Sequence, residues 1–119
     1  MVRSLKHIKK ALVIDDEVDI CLLIGLFLRK KGILPTCAYS LKDGVSKALE
    51  IKPDWIFLDN NLPDGEGLQR IKELKKLSPL SKIIMITSFD GIKKLALSIG
   101  ANKFIEKPFS FKEIETALI

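Results

Sequence analysis

Carboxylate side chains stand where short apolar runs of the sequence give way to polar segments. Asp15 and Asp16 follow the apolar run 11–14, and Asp59 follows the run 55–58. Acids that are brought together repel one another unless a cation neutralises them. Mg²⁺ suits this role because it prefers oxygen ligands and commonly joins one or two carboxylates to a phosphate. The pattern indicates magnesium-dependent phosphate chemistry if the fold gathers these acids.

Two more polar residues close apolar runs farther along the chain. Thr87 ends the run 83–86, and Lys107 follows the segment 103–106 directly before Pro108. Taken singly, all these polar residues have ordinary structural interpretations. Asp15 and Asp16 could be an acidic pair at a helix start, Thr87 a hydroxyl at a helix start, and Lys107 a surface lysine. Their repeated placement at the ends of successive apolar runs favours one shared site.

Five β-like runs alternate with helical patterns, which predicts a parallel sheet. The first, third and fourth runs are continuously apolar, as expected for inner strands covered on both faces. We therefore predict a doubly wound α/β fold with a five-stranded parallel sheet in the flavodoxin-like order 2-1-3-4-5 and helices on both faces. In that order the first and third strands flank the crevice where ligands bind. The five runs are 11–14, 34–39, 55–58, 82–87 and 103–106.

The helical segments carry apolar residues at a 3.6-residue period, which predicts faces that pack on the sheet. Gly32 and Gly100 suit the left-handed residue that ends a helix, and Ser40 suits an N-cap. The first helix, 18–31, has more apolar surface than one sheet contact needs, because Leu22, Leu26 and Leu28 lie off its predicted face. Either neighbouring helices cover the surplus or it is a docking surface for a kinase or a dimer partner. The predicted buried faces are Ile20, Leu23, Ile24 and Phe27; Leu41, Val45, Ala48 and Leu49; and Ile92, Leu95, Ala96 and Ile99.

Length and composition indicate one folded domain. The chain has 119 residues, of which 47% are hydrophobic and 29% charged, a profile that excludes intrinsic disorder. Four units of the net charge of +5 fall in the first ten residues, on Arg3, Lys6, Lys9 and Lys10. We predict a basic N-terminal arm at 1–9 and a domain at 10–119, with no direct nucleic-acid binding by the domain. The sequence is compatible with a stand-alone module and with a piece of a longer protein.

The cysteines and the lengths of the apolar runs predict where in the cell the protein is found. Cys21 and Cys37 lack metal-ligand spacing, so we expect buried free thiols in a reducing cytoplasm. The longest apolar run, 20–28, is shorter than the roughly 20 residues needed to cross a bilayer, and the basic N-terminus leads into acidic residues instead of a cleavage site. Neither a membrane span nor a signal peptide is predicted.

Over residues 9–118 the sequence resembles the receiver domains of two-component response regulators. Each matching motif is weak by itself, but together and in this order they are specific. The matching segments are Leu12-Val13-Ile14-Asp15-Asp16-Glu17, Asp59-Asn60-Asn61-Leu62-Pro63 with Gly65 and Gly67, Thr87-Ser88, and Lys107-Pro108-Phe109.

The resemblance implies a phosphoacceptor that is not a turnover enzyme. Asp59 would take a phosphoryl group from a sensor histidine kinase or a phosphotransfer protein. It further implies that Asp16, Asp59 and the backbone carbonyl of Asn61 ligate Mg²⁺, with Asp15 assisting through water. Lys107 would stabilise the charge on the transferring group.

The resemblance also implies a conformational switch that controls a downstream output. Thr87 would bond the new phosphoryl oxygen while the ring of Phe104 turns inward. The altered surface, and a possible homodimer, would involve the fourth helix, fifth strand and fifth helix. The Lys107-Pro108 bond is expected to be cis. Candidate contacts on that surface are Lys93, Lys94, Lys103 and Lys112.

Two residues lie at positions that, by this resemblance, control how readily water reaches the acyl phosphate. Asn61 and Phe89 occupy positions that influence hydrolysis of the acyl phosphate in this family, and bulky Phe89 predicts slow self-dephosphorylation.

Two other functions compete with this prediction. A Mg²⁺-dependent phosphatase with an Asp nucleophile would need a second Asp where Asn61 stands, because an amide cannot serve as general acid and base. The other alternative is a receiver-like interaction module that is not phosphorylated.

Overall fold

A five-stranded parallel sheet forms the centre of the molecule in the computed structural model, which describes residues 8–119. The spatial order is β2-β1-β3-β4-β5, and every neighbouring pair is parallel, which confirms the predicted order 2-1-3-4-5. Most of the predicted basic arm lies outside the described residues. The strands are β1 (Lys10–Ile14), β2 (Leu34–Ala38), β3 (Trp55–Asp59), β4 (Lys82–Thr87) and β5 (Lys103–Glu106).

Helices cover both faces of the sheet, because successive side chains of each inner strand point to opposite sides. Leu12 and Ile14 of β1 pack in one buried cluster with α2, α3 and α4. Ala11 and Val13 pack in the other with α1 and α5. The predicted doubly wound α/β fold is therefore confirmed. The helices are α1 (Val18–Lys30), α2 (Leu41–Ile51), α3 (Ile71–Leu77), α4 (Lys93–Ile99) and α5 (Phe111–Ala117).

The helix ends follow the residues predicted for them. Ser40 caps α2, since its side chain accepts a hydrogen bond from the Asp43 backbone N–H at 3.1 Å. Gly32 and Gly100 take positive φ angles of 76° and 138° after α1 and α4. Lys52 is left-handed after α2 with φ 44°, a conformation that the sequence did not suggest because lysine rarely adopts it.

The predicted buried face of α1 needs correction. Its buried residues are Cys21, Ile24, Gly25 and Leu28, whereas Leu23 is 41% exposed. A helix that is apolar nearly all round carries little periodic signal, so the sequence could not fix its rotation. Leu22 and Leu26 stay 60% and 62% exposed, so neighbouring helices of the described chain do not cover the surplus. Leu49 of α2 and Leu95 of α4, both assigned to buried faces, are likewise exposed.

The two cysteines are joined in a disulfide, so the prediction of free thiols is wrong. Cys21 lies on the inner face of α1 and Cys37 on β2, with their Cα atoms 6.1 Å apart, which is within the normal span of a disulfide. The residues are 16 positions apart in the chain and meet only because α1 packs beside β2. Spacing in the sequence carries no sign of such a pairing. Within 8–119, no helix combines the length and apolar character that a membrane span requires.

Candidate functional site

The carboxyl ends of four strands bring the predicted polar residues to one edge of the sheet. Asp15 follows β1, Asp59 ends β3, Thr87 ends β4, and Lys107 follows β5. Backbone hydrogen bonds fix two of these positions: the Asp15 N–H donates to the Ala38 carbonyl at 3.0 Å, and the Lys107 N–H donates to the Thr87 carbonyl at 2.9 Å. The sheet therefore positions the start of each functional loop.

The Lys107 ammonium lies among three carboxylates. Its Nζ atom is 2.9 Å from Asp15 Oδ2, 2.8 Å from Glu17 Oε1 and 3.5 Å from Asp59 Oδ2. The Lys107 side chain is only 12% exposed, and Asp15 and Asp59 are buried. The structure thus brings Asp15, Asp59 and Lys107 together as the sequence predicted. Glu17 is an addition, whose only sequence signal was its place directly after the acidic pair.

Burial dominates the ionisation of this cluster. It raises the pKa of Asp59 to about 6, with the charge of Asp15 adding to the rise and Lys107 opposing it. Burial also raises the pKa of Asp15, against the lowering effect of Lys107. Burial alone would lower the pKa of Lys107, but its ion pairs with Asp15 and Glu17 and the charge of Asp59 raise it above the ordinary lysine value. One ammonium therefore offsets the mutual repulsion of these acids only in part.

The donor set fits a divalent cation. Oxygen atoms of Asp15, Glu17 and Asp59 lie within 4.8 Å of one another. The buried Oδ2 atom of Asp15 faces Lys107 as an ion pair but receives no hydrogen bond of regular geometry from the described residues. Carboxylate oxygens are the ligands that hard cations prefer, and a second positive charge would relieve the remaining repulsion. Asp16, also predicted as a metal ligand, is exposed and falls outside this group of carboxylates, and Asn61 is exposed as well.

Hydrogen bonds shape the loop that follows Asp59. The Asn60 N–H donates to Asp59 Oδ1 at 2.8 Å, and Asn60 Oδ1 accepts from the Leu68 N–H at 3.0 Å. The Gly67 N–H closes the loop on the Asn60 carbonyl at 2.9 Å, across a two-residue antiparallel pairing of Asn61–Leu62 with Gly65–Glu66. These bonds hold one oxygen of Asp59 and leave the other towards Lys107.

Asp64 ties the same loop to α2. Its two carboxylate oxygens accept hydrogen bonds from the Leu41 and Lys42 backbone N–H groups at 2.8 and 2.9 Å. These bonds lower the pKa of Asp64. The sequence did not reveal this role, because Asp64 is more than twenty positions from the helix start that it caps.

Gly67 is the tightest point of the loop, and Gly67→Ala should be destabilising. A Cβ atom at this position would overlap the Asp59 backbone carbonyl oxygen, which belongs to a strand and cannot move freely. We expect a loss of about 1 to 3 kcal/mol in the free energy of unfolding, measured by thermal or urea denaturation. Gly25→Ala is the matched control, because its Cβ would meet Pro35 at an ordinary 3.7 Å. Equal stability of the two variants would contradict the steric account.

The residues predicted to switch lie beside the cluster. Thr87 is buried, and its Oγ1 atom is 3.5 Å from the Phe89 N–H nitrogen. Phe104 is half-buried against the α2, α3 and α4 side of the core. The predicted cis Lys107-Pro108 bond is present. Phe89 is 58% exposed. Its ring lies close against Gly91, where an added Cβ would collide with it.

A parallel α/β sheet that gathers a buried aspartate, acidic neighbours and a lysine at its carboxyl edge belongs to the class of α/β proteins suited to phosphate chemistry. A family model described as "Response regulator receiver domain" matches residues 11–119. The chain therefore belongs to the response regulator receiver domain family, as the sequence motifs indicated. Members of this family are phosphoacceptors and generally not turnover enzymes.

Solved structures agree with this membership. A response regulator from Burkholderia pseudomallei, crystallised with a phosphorylated aspartic acid, a calcium ion and citrate, is 27% identical with a TM-score of 0.87; the match covers 93% of this chain and 66% of that one. A CheY-like receiver domain from Methanospirillum hungatei is 26% identical over 92% of this chain and 90% of that one, with a TM-score of 0.87. The solution structure of the beryllofluoride-activated NtrC4 receiver domain dimer is 33% identical over 92% of each chain, with a TM-score of 0.85.

Proposed function

We propose that Asp59 accepts a phosphoryl group from a sensor histidine kinase or phosphotransfer protein. The observation that carries the proposal is the buried Asp59 carboxylate with the Lys107 ammonium 3.5 Å away. An Asp59 oxygen attacks phosphorus, the bond from phosphorus to the donor imidazole breaks, and an acyl phosphate forms. A pKa of about 6 leaves Asp59 ionised at neutral pH while making it a better nucleophile than an ordinary aspartate.

Mg²⁺ is the proposed cofactor. The Burkholderia relative was crystallised with a calcium ion, which supports a divalent cation as cofactor, and the carboxylates of this chain fit one. We assign Asp15, Asp16, Asp59 and the backbone carbonyl of Asn61 as its ligands, directly or through water. When bound, the cation supplies positive charge that stabilises the oxygens of the transferring group, opposite the ammonium of Lys107.

Intact-mass measurement tests the proposal. The protein is incubated with Mg²⁺ and acetyl phosphate or phosphoramidate, and we expect a gain of one phosphoryl group that Asp59→Asn removes. The absence of any gain in the wild type would favour the unphosphorylated interaction module instead. Sustained hydrolysis of p-nitrophenyl phosphate would favour the phosphatase, although exposed Asn61 offers it no acid or base.

The response to phosphorylation is proposed to pass through Thr87 and Phe104. The Thr87 hydroxyl would move to the phosphoryl group, and the Phe104 ring would fill the space that it leaves. Phe104 borders a groove between β5 and α5 that also includes Lys103 and Lys112. We propose this surface, together with α4, as the site of output contacts and of a homodimer. The beryllofluoride-activated NtrC4 receiver domain is a dimer, which supports a homodimer of this chain.

Phe89→Ala is expected to shorten the lifetime of the acyl phosphate. The ring stands two residues after Thr87 and is 58% exposed, so it can shield the phosphoryl group from water at the mouth of the site. Removing it should raise the dephosphorylation rate by several fold, on the order of 1 kcal/mol in the barrier. The decay is followed by intact mass after removal of the donor. Leu97→Ala, which truncates an exposed apolar residue of α4, is the control; equal lifetimes in all three proteins would reject shielding.

The exposed apolar surface of α1 is proposed as the docking site for the phosphoryl donor protein. Leu22 and Leu26 are exposed, and Leu26 lines a groove with Phe27 and with Phe111 of α5. The rings of Phe27 and Phe111 stack with centroids 5.3 Å apart, so the groove has a fixed wall. Its apolar character and its place on α1, the helix that follows Asp15, favour a protein partner.

Leu26→Glu should therefore slow phosphorylation by a donor protein at least about tenfold, the effect of roughly 1.4 kcal/mol of lost binding. Phosphorylation by phosphoramidate should be unchanged, because the small donor needs no docking surface. Leu49→Glu, an exposed leucine on α2, is the control. If Leu26→Glu leaves protein-donor phosphorylation intact but abolishes dimerisation measured by light scattering, the surface is a dimer contact instead.

A cytoplasmic location forms part of the proposal because histidine-kinase donors act there. The disulfide is an observation that points the other way, since disulfides are rare in reducing compartments. Alkylation of the thiols in protein taken directly from cells, followed by mass measurement, shows whether the cysteines are reduced or joined in the disulfide. Two blocked thiols are expected for a cytoplasmic protein, and none for an oxidised one.

A further inference from the structure

Lys107 lies closer to Glu17 than to the proposed phosphoacceptor. Its Nζ atom is 2.8 Å from Glu17 Oε1 and 3.5 Å from Asp59 Oδ2. The backbone of Glu17 is fixed: its N–H donates to Asp15 Oδ1 at 2.9 Å, and its carbonyl accepts from the Ile20 and Cys21 N–H groups at the start of α1. Its side chain is 60% exposed and reaches back over the site.

We propose that Glu17 is a positioning residue that holds the Lys107 ammonium in the unphosphorylated protein and releases it when the phosphoryl group arrives. The inference rests on the proposed function. The Lys107 ammonium contacts the carboxylates of Asp15, Glu17 and Asp59 within 3.5 Å, and the contact with Asp59 is the longest of the three. A short contact with a phosphoryl oxygen on Asp59 therefore draws the ammonium away from Asp15 or Glu17, to which it now lies nearer.

Burial decides which contact breaks. The Asp15 carboxylate is completely buried and would lose its neutralising charge without access to water. The Glu17 carboxylate is mostly exposed and becomes hydrated as soon as it is released. The contact with Glu17 is consequently the one that yields, and its strength becomes part of the barrier to phosphorylation.

Removing this contact should speed phosphorylation. An exposed ion pair typically contributes little, so Glu17→Gln is expected to raise the limiting rate about two- to fivefold at saturating Mg²⁺. The half-saturating concentration of phosphoramidate should stay unchanged, because Glu17 acts on the lysine and not on the donor. Asp19→Asn is the matched control: it removes a negative charge from the first turn of α1 without a contact to Lys107.

A double-mutant cycle tests whether Glu17 acts through Lys107. In a Lys107→Ala background, Glu17→Gln should have no effect on the rate. An equal gain in both backgrounds, no gain in either, or a change confined to Mg²⁺ affinity measured by calorimetry would overturn the proposal.

Thermal unfolding of the metal-free proteins provides a measurement that needs no phosphorylation. The melting-temperature shifts of Glu17→Gln and Lys107→Ala should be non-additive, with the double variant about 2 to 5 °C more stable than the sum of the single shifts predicts. Additive shifts would mean that the two side chains are not paired. Non-additive shifts in a protein that gains no phosphoryl group would uphold the pairing and overturn the proposed function.

Discussion

Replacing Lys107 with Ala is expected to slow phosphorylation of Asp59 by about 10²-fold or more, measured as the initial rate of mass gain with phosphoramidate. Negative charge gathers on the oxygens of the transferring group, and Lys107 carries the only ammonium that the structure places within 4 Å of Asp59 among the described residues. A charge fixed in a site with little exposure costs no reorganisation when the reaction occurs. Its loss should therefore reduce the limiting rate more than donor binding.

Lys107→Ala should also lower the stability of the protein, because Lys107 neutralises part of the carboxylate cluster. Without the ammonium, Asp15 and Asp59 remain buried and unpaired, and we expect a loss of about 3 kcal/mol in the stability of the metal-free protein. Lys82→Ala, at the opposite end of β4, is the control that should change neither rate nor stability appreciably. A Lys107→Ala protein that is phosphorylated at the wild-type rate would remove the lysine from the mechanism.

Asp59→Asn is expected to stabilise the metal-free protein even though it abolishes phosphorylation. Burial, reinforced by the charge of Asp15, raises the pKa of Asp59 from 3.8 to about 6. Keeping this carboxylate ionised at neutral pH therefore opposes folding by roughly 3 kcal/mol, at 1.36 kcal/mol for each pKa unit. Asparagine has nearly the same shape and no charge, so the melting temperature should rise by roughly 10 °C.

The pH dependence of this gain has a definite sign. Because the folded protein holds the Asp59 proton more tightly than the unfolded chain does, wild-type stability falls as the pH rises from about 4 to about 6, and the loss persists above that window. The asparagine side chain of the variant does not titrate, so the advantage of Asp59→Asn should be small near pH 4 and complete above about pH 6. A gain that is equal at both ends of the window would show that the charge of Asp59 is not its cause.

Mg²⁺ should reduce the difference in melting temperature between the wild type and Asp59→Asn. A cation held by the carboxylates binds only the folded state and stabilises it, and it loses one ligand in Asp59→Asn. The melting temperature of the wild type should therefore rise more on addition of Mg²⁺ at neutral pH. Melting curves of both proteins, with and without the metal, give this comparison directly.

The sequence predicted the sheet and the convergence at its edge because both follow from local patterns. Continuous apolar runs identified the inner strands, and parallel topology then placed Asp15, Asp59 and Lys107 on one side. These predictions needed no knowledge of side-chain directions. The motifs of the receiver family strengthened them because each motif fell at a strand end.

Features that depend on how distant elements meet were missed. The Cys21–Cys37 disulfide and the Asp64 cap of α2 join residues that only the packed fold brings together. The rotation of α1 depends on small residues such as Gly25 facing the sheet. A helix that is apolar on nearly all sides gives no sequence signal for which face is buried. Glu17 contacts Lys107 at 2.8 Å although the two residues are 90 positions apart, so the sequence alone does not show that they pair.

Locating the phosphoryl group within the chain tests the central claim most directly. Protein phosphorylated with phosphoramidate and Mg²⁺ is reduced with borohydride, which converts an aspartyl phosphate to homoserine, and is then mapped by peptide mass spectrometry. We predict homoserine at position 59 and nowhere else. Modification at Asp15 or Asp16, or phosphate retained on a hydroxyl such as that of Ser88, would contradict the assignment of Asp59 as the phosphoacceptor.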